Sequence, residues 1–576
     1  MQPSRILSWY RSTFGQAMAG AVVLWAALPP LDLWLLGWVA PVWWLLLVRR
    51  SQLGGRRPYG TIWLAGFLFW MATLHWLRLP YWATSLGWVA LSFYLGLYLP
   101  AFIALTRIAV HRLRVSVILA APVVWTGLEL ARAHVLTGFS MAGLEHTQYR
   151  WIELIQISDL AGAYGVGFVV MFAAACLARM LPCDGRPGCV WPVAPLVMLL
   201  ASVLVYGYAR SSGPPPEPEA RIALIQGSID IELKDNPAMR GYIYKQYLDL
   251  SRKAVAEYGQ LDLMVWPETM FPDRLWIVKP DAAIEEIWRR EEAAADYGLE
   301  EFELRLRDNA GRTPREMAVL AVHLGSPMLL GVQTVTLDAA GDRIFNSAVL
   351  IAREGSFAGR YDKMHPVMFG EYFPFFDRFP LWLQRCIPIA NLAEGDGAVA
   401  FSAGPLRLAP SICYETILAH VIRRQVRDLA GRGEEPDVLV NLTNDGWFWG
   451  SSELDLHLIC SVFRAVECRK PLLIAANTGF SAWIDPDGRI VAQGPRRDTG
   501  TILATVGREP RQSWYLLYGD WFAGCCLAAC VLLAAIGCLQ FRGAGQRPAP
   551  RSGRHNADQR QIRQAGVKTT FLVLFM

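Results

Sequence analysis

The stretch Leu406-Arg407-Leu408-Ala409-Pro410-Ser411-Ile412-Cys413-Tyr414-Glu415 decides how the chain is read. Leu406–Ile412 is a short β-prone run that delivers a cysteine at its end. Side chains at strand ends reach a cleft from a rigid frame, where reactive groups commonly sit. Two other motifs have the same form. Val265-Trp266-Pro267-Glu268-Thr269 closes the run Leu263–Trp266 on a glutamate, and Tyr361-Asp362-Lys363 is followed by Phe369-Gly370-Glu371-Tyr372. A cysteine attacks a carbonyl as its thiolate. A glutamate within reach takes the thiol proton and returns it to the leaving group. A lysine ammonium stabilises the oxyanion. The product is a thioester and a two-step reaction. One cysteine after a strand is usually a packing residue, so the specificity lies in the joint pattern.

Around these motifs the chain alternates strands with helices. Strand-like runs are Arg221–Gln226, Leu263–Trp266, Met328–Val335, Ala348–Ile351, Leu406–Ile412, Val438–Leu442, Leu472–Ala476 and Ile502–Val506. Helix-like stretches cover 237–258, 281–306 and 454–470. Such alternation predicts an α/β domain. It follows a Pro-rich linker, Gly213 to Glu219, and extends to residue 510.

Outside that domain the chain is apolar. A membrane helix needs about 20 apolar residues. Eight candidates fall at 14–29, 32–48, 61–79, 87–109, 115–133, 163–181, 189–208 and 515–540. The first lacks a small-residue cleavage site and runs into the second through Pro29-Pro30-Leu31-Asp32, which argues against a signal peptide. Arg5 and Arg11 precede the first helix; Arg49, Arg50, Arg56, Arg57, Arg107, Arg112, Arg114, Arg179 and Arg186 fall in alternate loops on that same side. The other loops hold only Arg78, Arg132 and Arg150. This asymmetry predicts cytoplasmic termini and a periplasmic α/β domain, in a multi-pass protein of a bacterial inner membrane. The expected division is 1–212, seven membrane helices; 213–510, the catalytic domain; 511–541, the last membrane helix; and 542–576, a basic tail expected to be disordered.

Composition excludes several classes. The net charge of +5 is spread over short loops and the tail, so no nucleic-acid footprint is expected. The 11 cysteines form no paired CxxC pattern, so a zinc site is not expected. Cys386, Cys413, Cys460 and Cys468 lie in the polar half, and a disulfide among them stays open. Glu129 and Arg132 sit at helical i, i+3 spacing and read either as an interfacial ion pair or as functional ionisable residues of the membrane half, and His75 reads as structural.

The three motifs resemble the carbon–nitrogen hydrolase (nitrilase) superfamily, with further matches at Ile225-Gln226-Gly227, Asn441-Leu442-Thr443-Asn444-Asp445-Gly446-Trp447-Phe448 and Asn477-Thr478-Gly479. That family implies a Glu–Lys–Cys triad on an αββα sandwich. With eight apolar helices, and with Trp125, Glu129, Arg132 and Thr137-Gly138-Phe139, the chain is similar to the apolipoprotein N-acyltransferase family. The expected fold is a polytopic α-helical membrane domain plus an α/β nitrilase-like αββα sandwich. The resemblance implies Glu268 as general base, Lys363 as stabiliser of oxyanion and thiolate, and Cys413 as nucleophile. Glu371 and Glu415 would orient the lysine or the substrate amine, and Tyr414 would shape the acyl pocket. It implies a phospholipid acyl donor, a diacylglyceryl-apolipoprotein acceptor, contact with membrane lipids, and no metal or organic cofactor. A monomer is expected.

Three features depart from the family pattern. Lys234-Asp235 stands where a Lys-Trp pair is usual, residues 284–316 form a long charged stretch, and Trp447, Phe448 and Trp449 make an aromatic loop that either dips into lipid or packs in the core. Two alternatives remain: a membrane-tethered amidase that uses the same triad with water as acceptor, and a transporter or scaffold carrying a degenerate hydrolase domain. The arginine asymmetry is tested by reporter fusions. A fusion near residue 400 is expected to be active outside the cytoplasm, and one active only inside contradicts the topology.

Overall fold

The computed structural model describes residues 12–185, 187–234, 236–290, 298–339, 341–374 and 391–545. The chain forms two units, Met1–Val531 and Leu532–Met576. The second is described only as the last turns of a helix. The basic tail beyond residue 545 and Cys386 lie outside the described residues.

The apolar half folds as helices α1 (Thr13–Ala27), α2 (Trp34–Arg49), α3 (Pro58–Thr73), α4 (Thr84–Arg112), α5 (Val117–His134), α6 (Ala163–Met180) and α7 (Val193–Ser211). Ser12 starts α1 by accepting a hydrogen bond from Gly15 N at 2.9 Å. Among the described residues, α4, α6, α7 and Trp521–Leu539 are long and apolar enough to cross a bilayer, while α1 and α2 are shorter apolar helices. α3 has 16 residues and α5 has 18. The last apolar run begins later than expected. A short helix Trp514–Tyr518 ends at Gly519, where φ is +70°, before the long helix starts at Trp521.

The polar half carries strands β1 (Ala220–Gln226), β2 (Leu263–Trp266), β3 (Leu275–Val278), β4 (Met328–Asp338), β5 (Gly341–Ile351), β6 (Phe357–Asp362), β7 (Phe401–Ala403), β8 (Leu406–Ile412), β9 (Val438–Thr443), β10 (Leu472–Ala476), β11 (Ala482–Ile484), β12 (Ile490–Gln493) and β13 (Gly500–Val506). They form two sheets, ordered β13-β1-β2-β4-β5-β6, with β3 beside β4, and β12-β11-β10-β9-β8-β7. The middle of each is parallel, through β1–β2–β4 and β8–β9–β10. Ile222, Leu224, Val265 and Leu329 of the first sheet pack on Leu408, Ile412, Val440 and Leu473 of the second. Helices α8 (Arg240–Tyr258) and α9 (Leu299–Leu324) cover the outer face of the first sheet through Tyr247, Ala254, Met317 and Leu320. Helices α10 (Ala419–Gly431) and α11 (Glu453–Cys468) cover the second through Ile422, Val426, Ile459 and Phe463. The result is the expected αββα sandwich.

All eight expected strand runs form, several extended by a few residues. β6 escaped the sequence reading because Gly359 and Arg360 interrupt it, and β7 and β11 because they have three residues each. The charged stretch resolves into Ile284–Arg290 and α9. α9 runs past residue 306 because Met317, Leu320, Ala321 and Leu324 continue an apolar stripe, and it stops at Gly325, where φ is +60°. Its outer face is laced by pairs one turn apart, such as Glu301–Arg305 at 2.8 Å and Arg312–Glu316 at 2.8 Å. Residues 291–297 of that stretch lie outside the described residues.

The α10–α11 layer is shared with the membrane domain. Leu154, Ile155, Val166 and Val203 belong to the same buried cluster as Leu458, Val462 and Val466. A charged joint locks this seam. Arg469 is buried and donates to Asp159 Oδ2 at 2.7 Å, Gln156 Oε1 at 2.7 Å and Asp487 Oδ1 at 2.9 Å. Arg210 of α7 also reaches Asp159 at 2.8 Å, and Arg511 reaches Asp487 at 2.7 Å. Removing one member of such a buried network unbalances the charges that remain, and breaking a buried pair costs about 3–5 kcal/mol. Asp159→Ala is therefore expected to lower the melting temperature of the detergent-solubilised protein by several degrees, about as much as Arg469→Met. An unchanged melting temperature would mean the joint contributes nothing.

Candidate active site

Glu268 follows β2 by two residues, Cys413 follows β8 directly and Lys363 follows β6 directly. The first and third come from one sheet and the cysteine from the other. The sandwich brings all three together. Lys363 Nζ lies 4.0 Å from Glu268 Oε1 and donates to Glu371 Oε1 at 2.8 Å. Glu268 is 7% exposed and Lys363 is 1% exposed. Gly331 on β4 lets the Pro267–Glu268 turn sit close, since a Cβ there would run into the Pro267 carbonyl and Glu268 Cα.

Each group is held from behind. Glu268 Oε1 accepts from Asn346 Nδ2 at 2.6 Å and its Oε2 from the Asn444 backbone N–H at 2.8 Å. Asn346 also accepts the Lys363 backbone N–H at 2.9 Å. Glu371 Oε2 accepts from Val367 N at 2.7 Å, which fixes the carboxylate against the ammonium. Cys413 is half-buried and has φ of +52°. A non-glycine residue in this region costs about 1–3 kcal/mol and is kept only where its surroundings impose it. Asn441 Nδ2 contributes by donating to the Cys413 carbonyl at 3.3 Å.

The charges set the resting protonation. Burial, then the Glu268 charge, pushes the Cys413 thiol well above its usual range, and Lys363 pulls against them. Burial alone would pull the Lys363 ammonium down, but Glu371, Cys413 and Glu268 outweigh it and hold its pKa above the usual lysine range. Both directions favour a neutral thiol beside a charged ammonium. That arrangement suits attack coupled to proton transfer, with charge developing next to Lys363.

Glu415 is bonded to other groups than the Lys363 ammonium. It is completely buried, and it accepts from Tyr361 Oη at 2.9 and 2.8 Å, Ile412 N at 2.6 Å, Met364 N at 2.8 Å and His365 N at 3.0 Å. It pins the backbone on both sides of the site, and none of these partners is the Lys363 ammonium. Burial raises its pKa, although the Ile412 N–H, the Lys363 charge and the Tyr361 hydroxyl all pull it down. Tyr414 points its hydroxyl at the Gly138 carbonyl, 2.7 Å away, in the loop after α5. His365 reaches the neighbouring Thr137 carbonyl at 3.1 Å. Gly138 has φ of +88°, and a Cβ there would collide with the Ala133 carbonyl. Arg132 is ion-paired with Glu129, as the spacing suggested, and it also holds this loop by donating to Phe139 O and Met141 O at 2.9 Å. His75 Nδ1 contacts the Ala72 carbonyl at 3.1 Å, one turn back.

Asn346, Asn444 and Tyr361 were not singled out as supports. Asn444 lay inside a quoted motif, and Asn346 carried no local signal. Lys234 hydrogen-bonds Thr269, the residue after Glu268, while Asp235 lies outside the described residues. In the aromatic loop Phe448 packs edge-on against Trp76 of the membrane domain at 4.9 Å, and Arg497 lies 5.3 Å over the Trp449 ring. Cys413, Cys460 and Cys468 are free thiols. Asp445, Glu453 and His457 bring possible metal-ligand atoms within 4.8 Å of one another. Both His457 nitrogens already have protein partners, Asp445 Oδ1 at 3.1 Å and Thr416 Oγ1 at 2.9 Å.

Two sheets, their helix layers and a carboxylate, lysine and cysteine brought together at strand ends define the class: the carbon–nitrogen hydrolases. The description "Carbon-nitrogen hydrolase" matches residues 221–515, and "Apolipoprotein N-acyltransferase N-terminal domain" matches residues 20–176. An apolipoprotein N-acyltransferase of Geobacter metallireducens is 33% identical over 91% of this chain and 95% of its own length. One of Rhodopirellula baltica is 31% identical over 88% and 94%. An amidase from Nesterenkonia sp. is 15% identical with a TM-score of 0.34, covering 54% of this chain and all of that one. The chain belongs to the apolipoprotein N-acyltransferase family.

The electrostatics predict how the thiol titrates. The Glu268 charge raises the Cys413 pKa, so Glu268→Gln should move the pH profile of iodoacetamide alkylation at Cys413 to lower pH. Lys363 lowers it, so Lys363→Met should move the profile to higher pH. Peptide mass mapping reads both, and profiles that stay in place in both variants would contradict this electrostatic reading.

Proposed function

We propose that this enzyme transfers a fatty acyl chain from a membrane phospholipid, through a thioester on Cys413, to the α-amino group of a diacylglyceryl-modified N-terminal cysteine. The observation that carries this is the docking of the reactive turn on the membrane domain. Tyr414 and His365, each beside or near a triad residue, are bonded to consecutive carbonyls of the loop that ends α5. A site so placed meets a lipid ester at the level where the membrane helix stops.

In the first half-reaction Cys413 Sγ attacks the ester carbonyl while Glu268 takes the thiol proton. The oxyanion forms against the Lys363 ammonium. Its collapse breaks the carbon–oxygen bond, and Glu268 returns the proton to the departing lysophospholipid alkoxide. In the second half the acceptor amine attacks the thioester. Glu268 then carries the amine proton to the leaving sulfur, and the amide is released. Glu371 keeps Lys363 aimed, Glu415 holds the two backbone segments in register, and Tyr414 sets the membrane side of the acyl pocket.

The same reading takes the eight apolar helices as eight membrane spans. The termini are cytoplasmic and residues 213–510 are periplasmic, with membrane segments at 1–212 and 511–541 and a cytoplasmic tail from 542. The short α1 and α2 form a hairpin in this arrangement. The enzyme acts as a monomer on lipid and lipoprotein substrates, with no part for nucleic acid.

The test is transfer from phosphatidylethanolamine to a diacylglyceryl-cysteine peptide. Cys413→Ala is expected to abolish transfer while the protein stays folded, and Cys413→Ser should lose at least about a thousandfold, since an alcohol is a far poorer nucleophile near neutral pH. Transfer by pure Cys413→Ala would remove the thioester from the account. Release of free fatty acid from the wild type, with none on the peptide, would favour water as the acceptor.

A further inference from the structure

Three imidazoles and a guanidinium gather beside the reactive turn, where α5 ends. His134 is the last residue of α5 and is exposed. His420, the second residue of α10, stacks on it with ring centroids 4.2 Å apart and planes at 26°. His365, two residues after Lys363, lies parallel to the Tyr414 ring at 6.3 Å. Arg424 is exposed one turn along α10 from His420, and no carboxylate pairs with it among the described residues. Its neighbour Arg423 is instead tied to Asp520 at 3.0 Å.

The hydrogen bonds single out which nitrogens are committed. His134 Nδ1 bonds the Leu130 carbonyl at 3.0 Å, so its other nitrogen points away from the helix. His365 Nε2 is committed to Thr137. His420 Nδ1 is buried and has no partner. Burial first, then His134, His365, Arg424 and Arg423, pushes the His420 imidazole down to about 3. On His365 burial is again the largest cause of a lowered pKa; the Thr137 carbonyl and Glu394 oppose it, and Lys363 and Arg424 add to it. A positive field of this kind is relieved by an anion, which also turns each imidazole into a better donor. Immediately beyond His134, Val135 and Leu136 are 42% and 61% exposed, an apolar step suited to lipid.

We propose that His134, His420 and Arg424 form a recognition site for the phosphodiester of the acyl-donor phospholipid. The proposal rests on the acyl-transfer reading above. In a glycerophospholipid the glycerol unit separates the ester carbonyl from the phosphate by only a few bonds. A lipid whose ester faces Cys413 therefore carries its phosphate a short step away. His420 follows Cys413 by seven residues through the Tyr414 turn, and His365 links Tyr414 to the Lys363 segment. The site would discriminate a phospholipid from a neutral diacylglycerol with the same chains.

The test uses the full-length protein in mixed micelles and two readouts. Native mass spectrometry measures retention of phosphatidylethanolamine against diacylglycerol of identical chains. The wild type should prefer the phospholipid. His420→Gln with Arg424→Gln should lose about tenfold of that preference, as expected for charge-assisted hydrogen bonds, with diacylglycerol retention unchanged. Arg424→Gln alone, at an exposed position, should lose part of it and guards against a folding defect in the pair. Acylation of Cys413 by intact mass should then need about tenfold more donor for half-saturation at an unaltered maximal rate. A preference that survives in the double variant, or a fall in maximal rate alone, overturns the site. Inorganic phosphate that displaces the lipid at micromolar concentration would overturn the lipid as its natural source. If lipid retention depends on the cluster but no acyl group reaches Cys413, the acyl-transfer reading fails and the phosphate site stands.

Discussion

The constraint on which the rest depends is the burial of the Glu415 carboxylate. A carboxylate removed from water costs several kcal/mol unless its oxygens are filled. Here every donor that fills them comes from a segment bearing the chemistry. Tyr361, Met364 and His365 flank Lys363, and Ile412 precedes Cys413. Because Tyr361 belongs to the first sheet and Ile412 to the second, the same carboxylate ties the two layers of the sandwich at the point where they must agree. Glu268 comes from a third strand end, held by Asn346 and the Asn444 N–H, with the Lys363 ammonium 4.0 Å away.

The second constraint is attachment to the membrane domain. The helix layer over the second sheet is continuous with membrane-side residues in one apolar cluster, and Arg469 with Asp159 and Asp487 locks its rim. At the other edge Arg132 fixes the loop whose carbonyls receive Tyr414 and His365. The Cys413 turn is therefore referenced to the end of α5 as well as to its own strand. A soluble hydrolase has no need of such a reference. An enzyme whose ester substrate lies in a bilayer does.

Much of this was legible in the sequence, for identifiable reasons. The strand-end motifs around Glu268, Lys363 and Cys413 are local, and a run that stops at a reactive residue says which side chain faces the cleft. Apolar runs announce helices equally directly. What could not be read was contact between distant segments. Asn346 reads as an ordinary strand residue until β5 is paired with β6. Glu415 follows Cys413 closely enough to suggest a role on the lysine or the substrate amine, yet its five hydrogen bonds run to a tyrosine hydroxyl and to backbone N–H groups that only the fold assembles. The meeting of His134 with His420, 286 positions apart in the chain, has no sequence signature at all. β6, β7 and β11 were missed because short or interrupted strands lack a run long enough to carry a period.

The central claim is that Cys413 holds the acyl group covalently between the two substrates. Intact mass of the purified enzyme after incubation with phosphatidylethanolamine and no acceptor addresses it most directly. The expected result is a gain of one fatty acyl chain, located on the peptide containing Cys413 and discharged when a diacylglyceryl-cysteine peptide is added. Acylated peptide appearing in a complete reaction, with no adduct on the enzyme at any time point or temperature, would contradict it.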